Sequence, residues 1–464
     1  MHSSGGLTFP QIESSPLNRR QKGLLFAAVL GTMLEFFDFF IIAYVLNIVA
    51  EPWGLTAGQS GFLLISAGAA SILGSIAFGR LADRIGRKLV FQITLMTFAV
   101  ATGAMALVPE GDWLTLGILR FIVGFGVGGL VVVDVPLVQE FVPSAKRGML
   151  GGMVVLFIPV DSILGSVSAA FLGPYIGWRG LVLLGLIPAA LSLYVRFSVK
   201  ESPGWLMSRG RTDDARESLG WVLGIPSKDV ELPEYEPEPT PKWRELFAYP
   251  RSLAFSLINS FALQFPFYGI ILWGPALLSL KLGLSPSEAA TLMIVVNVAG
   301  FIGRIVAARL SETWGRRVTG ILFMGLATVL MVATGVFHDA EMGTISVFYA
   351  GLIATWFFLD GSFSVALPFW AEHFPTRVRS TGTGAAYGIG GLGKVLGPAV
   401  LVLISGAGNA VEPEATSEAL LPAFLLFAVL TGIGSLSYLM SIESRGLTMD
   451  ALEEKLNQQS LRRR

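Results

Sequence analysis

The sequence contains no cysteine, which excludes disulfides, thiolate metal sites and cysteine nucleophiles. Its three histidines, His2, His338 and His373, are scattered and form no metal-ligand spacing. Charge is scarce as well: charged residues make up 14% of the 464 positions, against about 25% in soluble domains. The net charge is zero, so nothing directs the chain towards nucleic acid. The stretch Met1 to Lys22 is polar and no apolar segment directly follows a basic start, so a cleaved signal peptide is not expected. No nucleophile–base set and no nucleotide loop is found. The Gly-Gly-Leu-Gly-Lys run Gly390 to Lys394 has the wrong spacing for a phosphate loop and sits in an apolar helix. The chain is therefore not expected to be an enzyme, and no cofactor is expected.

What is present instead is long apolar blocks. Hydrophobic residues make up 53% of the chain, and apolar runs of about 18 or more residues read as membrane spans. Twelve spans are expected, near 23–49, 60–78, 89–108, 114–138, 148–172, 180–197, 252–280, 288–307, 318–337, 345–370, 380–406 and 419–441. A bilayer offers no partner to an open backbone, so each run is read as a helix. Small residues such as Gly124, Gly128 and Gly129 suit close approach of neighbouring backbones.

Basic residues set the orientation. One set of loops holds Arg19, Arg20 and Lys22, then Arg80, Arg84, Arg87 and Lys88, then Lys146 and Arg147. It continues through the middle loop, Arg309, Arg316, Arg317, Arg377, Arg379 and the tail. The opposite set holds only Arg179 and Lys281 with acids such as Glu51, Glu110, Asp112, Asp339, Glu341, Glu412 and Glu414. The first set is read as cytoplasmic, with both termini inside. The charged, Pro-rich stretch 199–251 is read as a cytoplasmic linker carrying short surface helices such as Thr212–Val222. It divides a six-helix bundle at 1–198 from a second at 252–441, with a cytoplasmic tail at 442–464.

An internal repeat supports this division. Gly79-Arg-Leu-Ala-Asp-Arg-Ile-Gly-Arg-Lys88 matches Ala308-Arg-Leu-Ser-Glu-Thr-Trp-Gly-Arg-Arg317. Glu140-x-x-Pro143-x-x-x-Arg147 matches Glu372-x-x-Pro375-x-x-x-Arg379. The offsets, 229 and 232 residues, nearly agree, and parallel six-helix repeats are a known transporter architecture.

These residues carry a resemblance to the major facilitator superfamily. Gly79 to Lys88 resembles its signature loop between helices two and three. Arg120 with Gly124 and Gly128 resembles its helix-four motif. Glu201-Ser-Pro-Gly-Trp-Leu206 resembles the segment after helix six in sugar and organic-acid porters, with Lys200 where a proline is usual and Gly204 where an arginine is usual. Glu35-Phe-Phe-Asp-Phe39 and Ala371 to Gly382 resemble the metabolite:proton and aromatic-acid:proton symporters; Glu35 and Phe36 stand where the aromatic-acid motif has Asp and Gly. The resemblance implies an all-α membrane protein of twelve helices in two pseudo-repeats. It further implies a multi-pass, monomeric protein of the plasma membrane (the inner membrane of a bacterium) that works by alternating access.

Ionisable residues at membrane depth cost about 2.5–3.5 kcal/mol even on lenient scales, so each is a functional candidate. Asp38 lies about 22 Å along its helix from Gly23, near mid-membrane, and shares a face with Glu35. A carboxylate there, with Arg120 to favour its release of a proton, suits proton coupling. Lys394 lies about 21 Å from Ser380, also near the midplane. Its anionic partner is Asp360, Asp161 or a substrate carboxylate. Gln264, Tyr268 and Trp356 complete the expected substrate site, in which aromatic walls suit a carboxylate with a ring and the few deep amides weigh against a sugar. Asp83, Arg84, Arg87, Glu140, Arg147, Glu312, Arg316, Glu372 and Arg379 are expected to latch helix ends and set the inward–outward balance. The function expected is proton-coupled uptake of a small organic acid. Sugar or other metabolite uptake and drug or metabolite efflux are the alternatives.

Overall fold

The computed structural model describes residues 18–140, 158–187, 200–232, 243–375, 378–406, 408, 413–446, 451–452 and 454–456. The architecture is all-α apart from one two-residue hairpin, Glu341–Met342 with Ile345–Ser346. The helices are α1 (Arg19–Val49), α2 (Ala57–Ile85), α3 (Arg87–Met105), α4 (Trp113–Glu140), α5 (Ile158–Val167) and α6 (Gly173–Leu183). Two short helices follow, α7 (Pro203–Ser208) and α8 (Thr212–Leu223). Then come α9 (Pro250–Leu282), α10 (Pro286–Thr313), α11 (Arg316–Val336), α12 (Val347–Glu372), α13 (Arg379–Gly391), α14 (Gly393–Ser405) and α15 (Pro413–Ser437).

Among the described residues nine helical runs are long and apolar enough to cross a membrane, and Phe36–Val49 and Trp113–Gly129 are shorter apolar runs. Parts of the expected fifth and sixth spans lie outside the described residues. One π-helical turn, Ser168–Leu172, joins α5 to α6, and the run breaks at Gly177 (φ 64°, ψ −176°). That break falls between the expected fifth and sixth spans.

Two compact units are present. The first comprises Met1–Phe39, Ala70–Asp161 and Val182–Pro239; the second comprises Phe40–Ala69, Ser162–Leu181 and Thr240–Arg464. Each has the same internal packing device. In the first, α2 lies so close to α4 that a Cβ on Gly74 would sit 2.0 Å from the Phe125 carbonyl oxygen. In the second, a Cβ on Gly303 of α10 would sit 2.0 Å from the Phe357 carbonyl oxygen of α12. These positions differ by 229 and 232 residues, the offsets of the sequence repeat. Without a hydrophobic drive between helices in lipid, backbone approach at a glycine supplies the van der Waals contact that holds them.

The repeat extends to the helix starts. Gly86 precedes α3 with φ 104° and ψ 153°, and Gly315 precedes α11 with φ 101° and ψ 154°. This left-handed region suits glycine. Each turn leaves the first helical N–H groups pointing at one carboxylate. Glu201 accepts from the backbone N–H of Arg87 and Lys88, both at 3.1 Å. Glu443 accepts from Arg316 at 3.0 Å and Arg317 at 2.9 Å. An anion at a helix N-terminus satisfies orphan donors and meets the positive end of the dipole.

Candidate functional site

In the first unit α1 brings Asp38 against Arg120 of α4. Both side chains are buried, at 0% and 1% exposure. Arg120 Nη1 lies 3.5 Å from Asp38 Oδ2. The guanidinium also donates to two α1 carbonyls, Asp38 at 2.8 Å and Phe39 at 3.0 Å. From α3, the Thr102 hydroxyl donates to Asp38 Oδ1 at 3.2 Å. Gly185 closes the site, because a Cβ there would sit 2.5 Å from Asp38 Oδ1. Three helices thus converge on one carboxylate. Asp161 is fully buried in the first turn of α5. The side chains of Glu35, Asp83, Asp134 and Glu140 lie outside the described ones, and Arg147 lies outside the described residues.

In the second unit the glycine run before Lys394 has a packing purpose. A Cβ on Gly393 would lie 2.6 Å from the Phe265 backbone nitrogen, and one on Gly390 would lie 2.0 Å from Gln264 Nε2. The glycines let α13 and α14 lie directly against α9. Trp273 of α9 then donates its indole N–H to the Pro398 carbonyl of α14 at 2.9 Å. This places Lys394, 6% exposed, with its ammonium 5.6 Å from the ring centres of both Tyr268 and Tyr387. An ammonium over two ring faces is held by their quadrupoles at about 0.5–2 kcal/mol each.

Aromatic contacts continue from there. Tyr268 stacks on Phe40 at 6.2 Å and 23° and meets Phe267 edge-on at 5.2 Å. Phe267 stacks on Trp356 at 4.9 Å and 20°. Gln264 donates to Ser260 one turn earlier on its own helix, at 2.9 Å.

Asp360 does not meet Lys394 through a hydrogen bond or ion pair of the kind considered above; its carboxylate is gripped by Arg304. The contact is bidentate, with Nε to Oδ2 at 3.0 Å and Nη2 to Oδ1 at 2.7 Å, both groups buried. The Arg304 guanidinium also lies 5.3 Å from the Phe363 ring centre. Arg304 lies inside the expected eighth span, and its depth was the signal that marks it.

At the helix ends, Arg316 pairs with Glu372 and reaches Glu312 at 3.5 Å. Ser444 donates to Glu372 at 2.6 Å. Arg84 accepts a bond from Arg209 on its carbonyl at 3.2 Å, and Arg379 donates to the Phe374 carbonyl at 3.3 Å. The Glu443 cap was not expected from the sequence. Its signal is the pattern Glu443-Ser444-x-Gly446, which repeats Glu201-Ser202-x-Gly204. Among the described residues no cluster of three metal-ligating side chains occurs.

The arrangement offers a buried carboxylate under an arginine, a buried ammonium among rings, and capped helix ends. None of these is a nucleophile–base set. Comparison with known proteins agrees. The chain is 30% identical over 451 residues to a niacin transporter of Acinetobacter baylyi, covering 95% of this chain and 98% of that one. It is 27% identical to a cis,cis-muconate transport protein of the same organism, covering 82% and 87%. Among solved structures it is similar to the xylose transporter of E. coli in a partially occluded inward-open conformation. That match has a TM-score of 0.69 at 19% identity and covers 93% of this chain and 100% of that one, a likeness of fold. Residues 28–398 match the family model described as Major Facilitator Superfamily. The protein is a multi-pass membrane transporter, not an enzyme, and it belongs to the Major Facilitator Superfamily.

Proposed function

We propose that the protein takes up a small organic acid, aromatic in its preferred form, together with protons, by alternating access. The observation that carries this reading is Lys394, a buried ammonium set between two tyrosine rings. A buried cation among aromatic faces suits a carboxylate attached to a ring. The niacin and muconate transporters, relatives over most of the chain, are named for organic acids.

In this reading Lys394 binds the carboxylate, and Tyr268 and Trp356 flank the ring, with Gln264 beside them. Asp38 carries the coupled proton. Arg120, 3.5 Å away, favours the ionised carboxylate and so assists release. Glu35 and Asp161 belong to the same polar face of the pathway. Asp360 ties α10 to α12 through Arg304. The repeats 1–198 and 252–441 move as the two halves, and 199–251 links them in the cytoplasm. Asp83, Arg84, Arg87, Glu140, Arg147, Glu312, Arg316, Glu372 and Arg379 hold helix ends in one state. Both termini face the cytoplasm, the membrane is the plasma membrane, and the protein acts as a monomer.

The test is uptake of a panel of labelled acids, sugars and amino acids into vesicles under an imposed proton gradient. An organic acid should accumulate, and collapse of the gradient should abolish its accumulation. Accumulation of a sugar instead, or of an acid indifferent to the gradient, contradicts the reading.

A further inference from the structure

Asn297 lies on α10 with 1% exposure. Its amide nitrogen donates to the Ser162 carbonyl at 3.1 Å, and to the Tyr44 hydroxyl and Ser166 Oγ at 3.4 Å each. A backbone carbonyl only accepts, so the amide orientation is fixed: nitrogen towards Ser162, oxygen away. Ser166 uses its own proton on the Ser162 and Ile163 carbonyls, at 3.0 and 2.9 Å. The Asn297 carbonyl oxygen is buried with no hydrogen-bond partner in the protein. An amide acceptor buried without a donor costs about 1–3 kcal/mol. In a helix that packs perfectly well on glycines one turn away, such a group calls for a use.

Two helices independently place it beside the aromatic cluster. On α10, Gly300 shares the face of Asn297 one turn on, and a Cβ there would lie 2.7 Å from Trp356 Nε1. On α1, Phe40 shares the face of Tyr44 one turn back, and Phe40 meets both Phe267 and Tyr268 at 6.2 Å. The cluster of Phe40, Phe267, Tyr268 and Trp356 therefore has the Lys394 ammonium against Tyr268 and an acceptor amide about one turn, roughly 5 Å, along from Phe40 and Trp356.

We infer that Asn297 reads a hydrogen-bond donor on the substrate's ring, so that the favoured substrates are aromatic carboxylates carrying a hydroxyl or amino group. The inference rests on the organic-acid reading and adds a second recognition point to it. A site built to bond a hydroxyl rejects the analogue that lacks it, because its own polar group is left unpaired. A role as simple glue between α10 and its neighbours predicts no such discrimination.

The experiment is initial-rate uptake of labelled benzoate, meta-hydroxybenzoate and para-hydroxybenzoate by the full chain in proteoliposomes, before and after Asn297→Leu. The wild type should show a KM for at least one hydroxy acid about tenfold or more below that for benzoate. In Asn297→Leu this ratio should fall to about one, since the leucine offers no acceptor. A wild-type ratio near one for both hydroxy acids overturns the inference, and that reading needs no variant to fold. A ratio that survives Asn297→Leu overturns it as well. Where benzoate is carried but the hydroxyl gains nothing, the organic-acid reading stands and the inference alone fails. Where none of the three acids binds or is carried, both fail.

Discussion

Arg304 and Asp360 meet in a two-pronged ion pair at 2.7 and 3.0 Å, tying α10 to α12 in the same layer where Gly303 touches the Phe357 backbone. The first unit has a looser counterpart. Arg120 lies 3.5 Å from the Asp38 carboxylate and spends its shorter bonds on the Asp38 and Phe39 carbonyls. A closed pair suits a permanent brace. A carboxylate held at a distance, with its arginine anchored elsewhere, is free to exchange a proton without releasing the helices.

The brace predicts a stability effect. Arg304→Met leaves the Asp360 carboxylate buried without its partner and should cost about 3–5 kcal/mol. The double variant Arg304→Met with Asp360→Leu should recover most of that loss, because an apolar pair replaces an ionic one. Thermal unfolding of the purified protein in detergent measures both. Equal loss in the single and double variants contradicts the brace.

The Asp38 site predicts a separation of coupling from translocation. Asp38→Asn keeps the Thr102 bond and the shape of the site but cannot cycle a proton. Accumulation driven by a proton gradient should vanish while substrate exchange across the membrane persists. Counterflow and gradient-driven uptake, measured side by side, distinguish the two. Accumulation in the variant that still follows pH contradicts the assignment.

The paired caps predict a shift in conformational balance. Glu201→Gln and Glu443→Gln each weaken a carboxylate–helix contact worth about 0.5–2 kcal/mol. A change of about 1.4 kcal/mol moves a two-state equilibrium tenfold. The natural absence of cysteine makes the readout direct, since single cysteines placed on either side report accessibility alone. Labelling rates should change in opposite directions on the two sides. Rates unchanged on both sides contradict a latch.

Much of this was legible in the sequence because the bilayer imposes a coarse rule. Apolar length marks a helix, and basic residues mark one kind of loop. The repeat was legible because Gly86 and Gly315 need the same positive φ, and the same motif surrounds each. Partner choice was not legible. Asp360 was expected to meet Lys394 or a substrate, but pairing depends on helix rotation and on which neighbour lies alongside, and hydropathy carries neither. Arg304 escaped notice for a related reason: near a span's end an arginine reads as one that snorkels to the interface. Its burial shows that it turns inward instead. Glu443 lies 128 residues from Gly315, and only the fold brings a cap from that distance.

The charge of the substrate is the central claim, and a competition measurement tests it most directly. Uptake of a labelled aromatic acid is challenged with the unlabelled acid and with its methyl ester, in wild type, Lys394→Arg and Lys394→Ala. The ester leaves the Lys394 ammonium buried without its anion, so it should compete about a hundredfold or more less well than the acid in the wild type. Lys394→Arg should keep part of the binding, because charge survives while geometry changes. Lys394→Ala should lose it. An ester that competes as well as the acid contradicts the account.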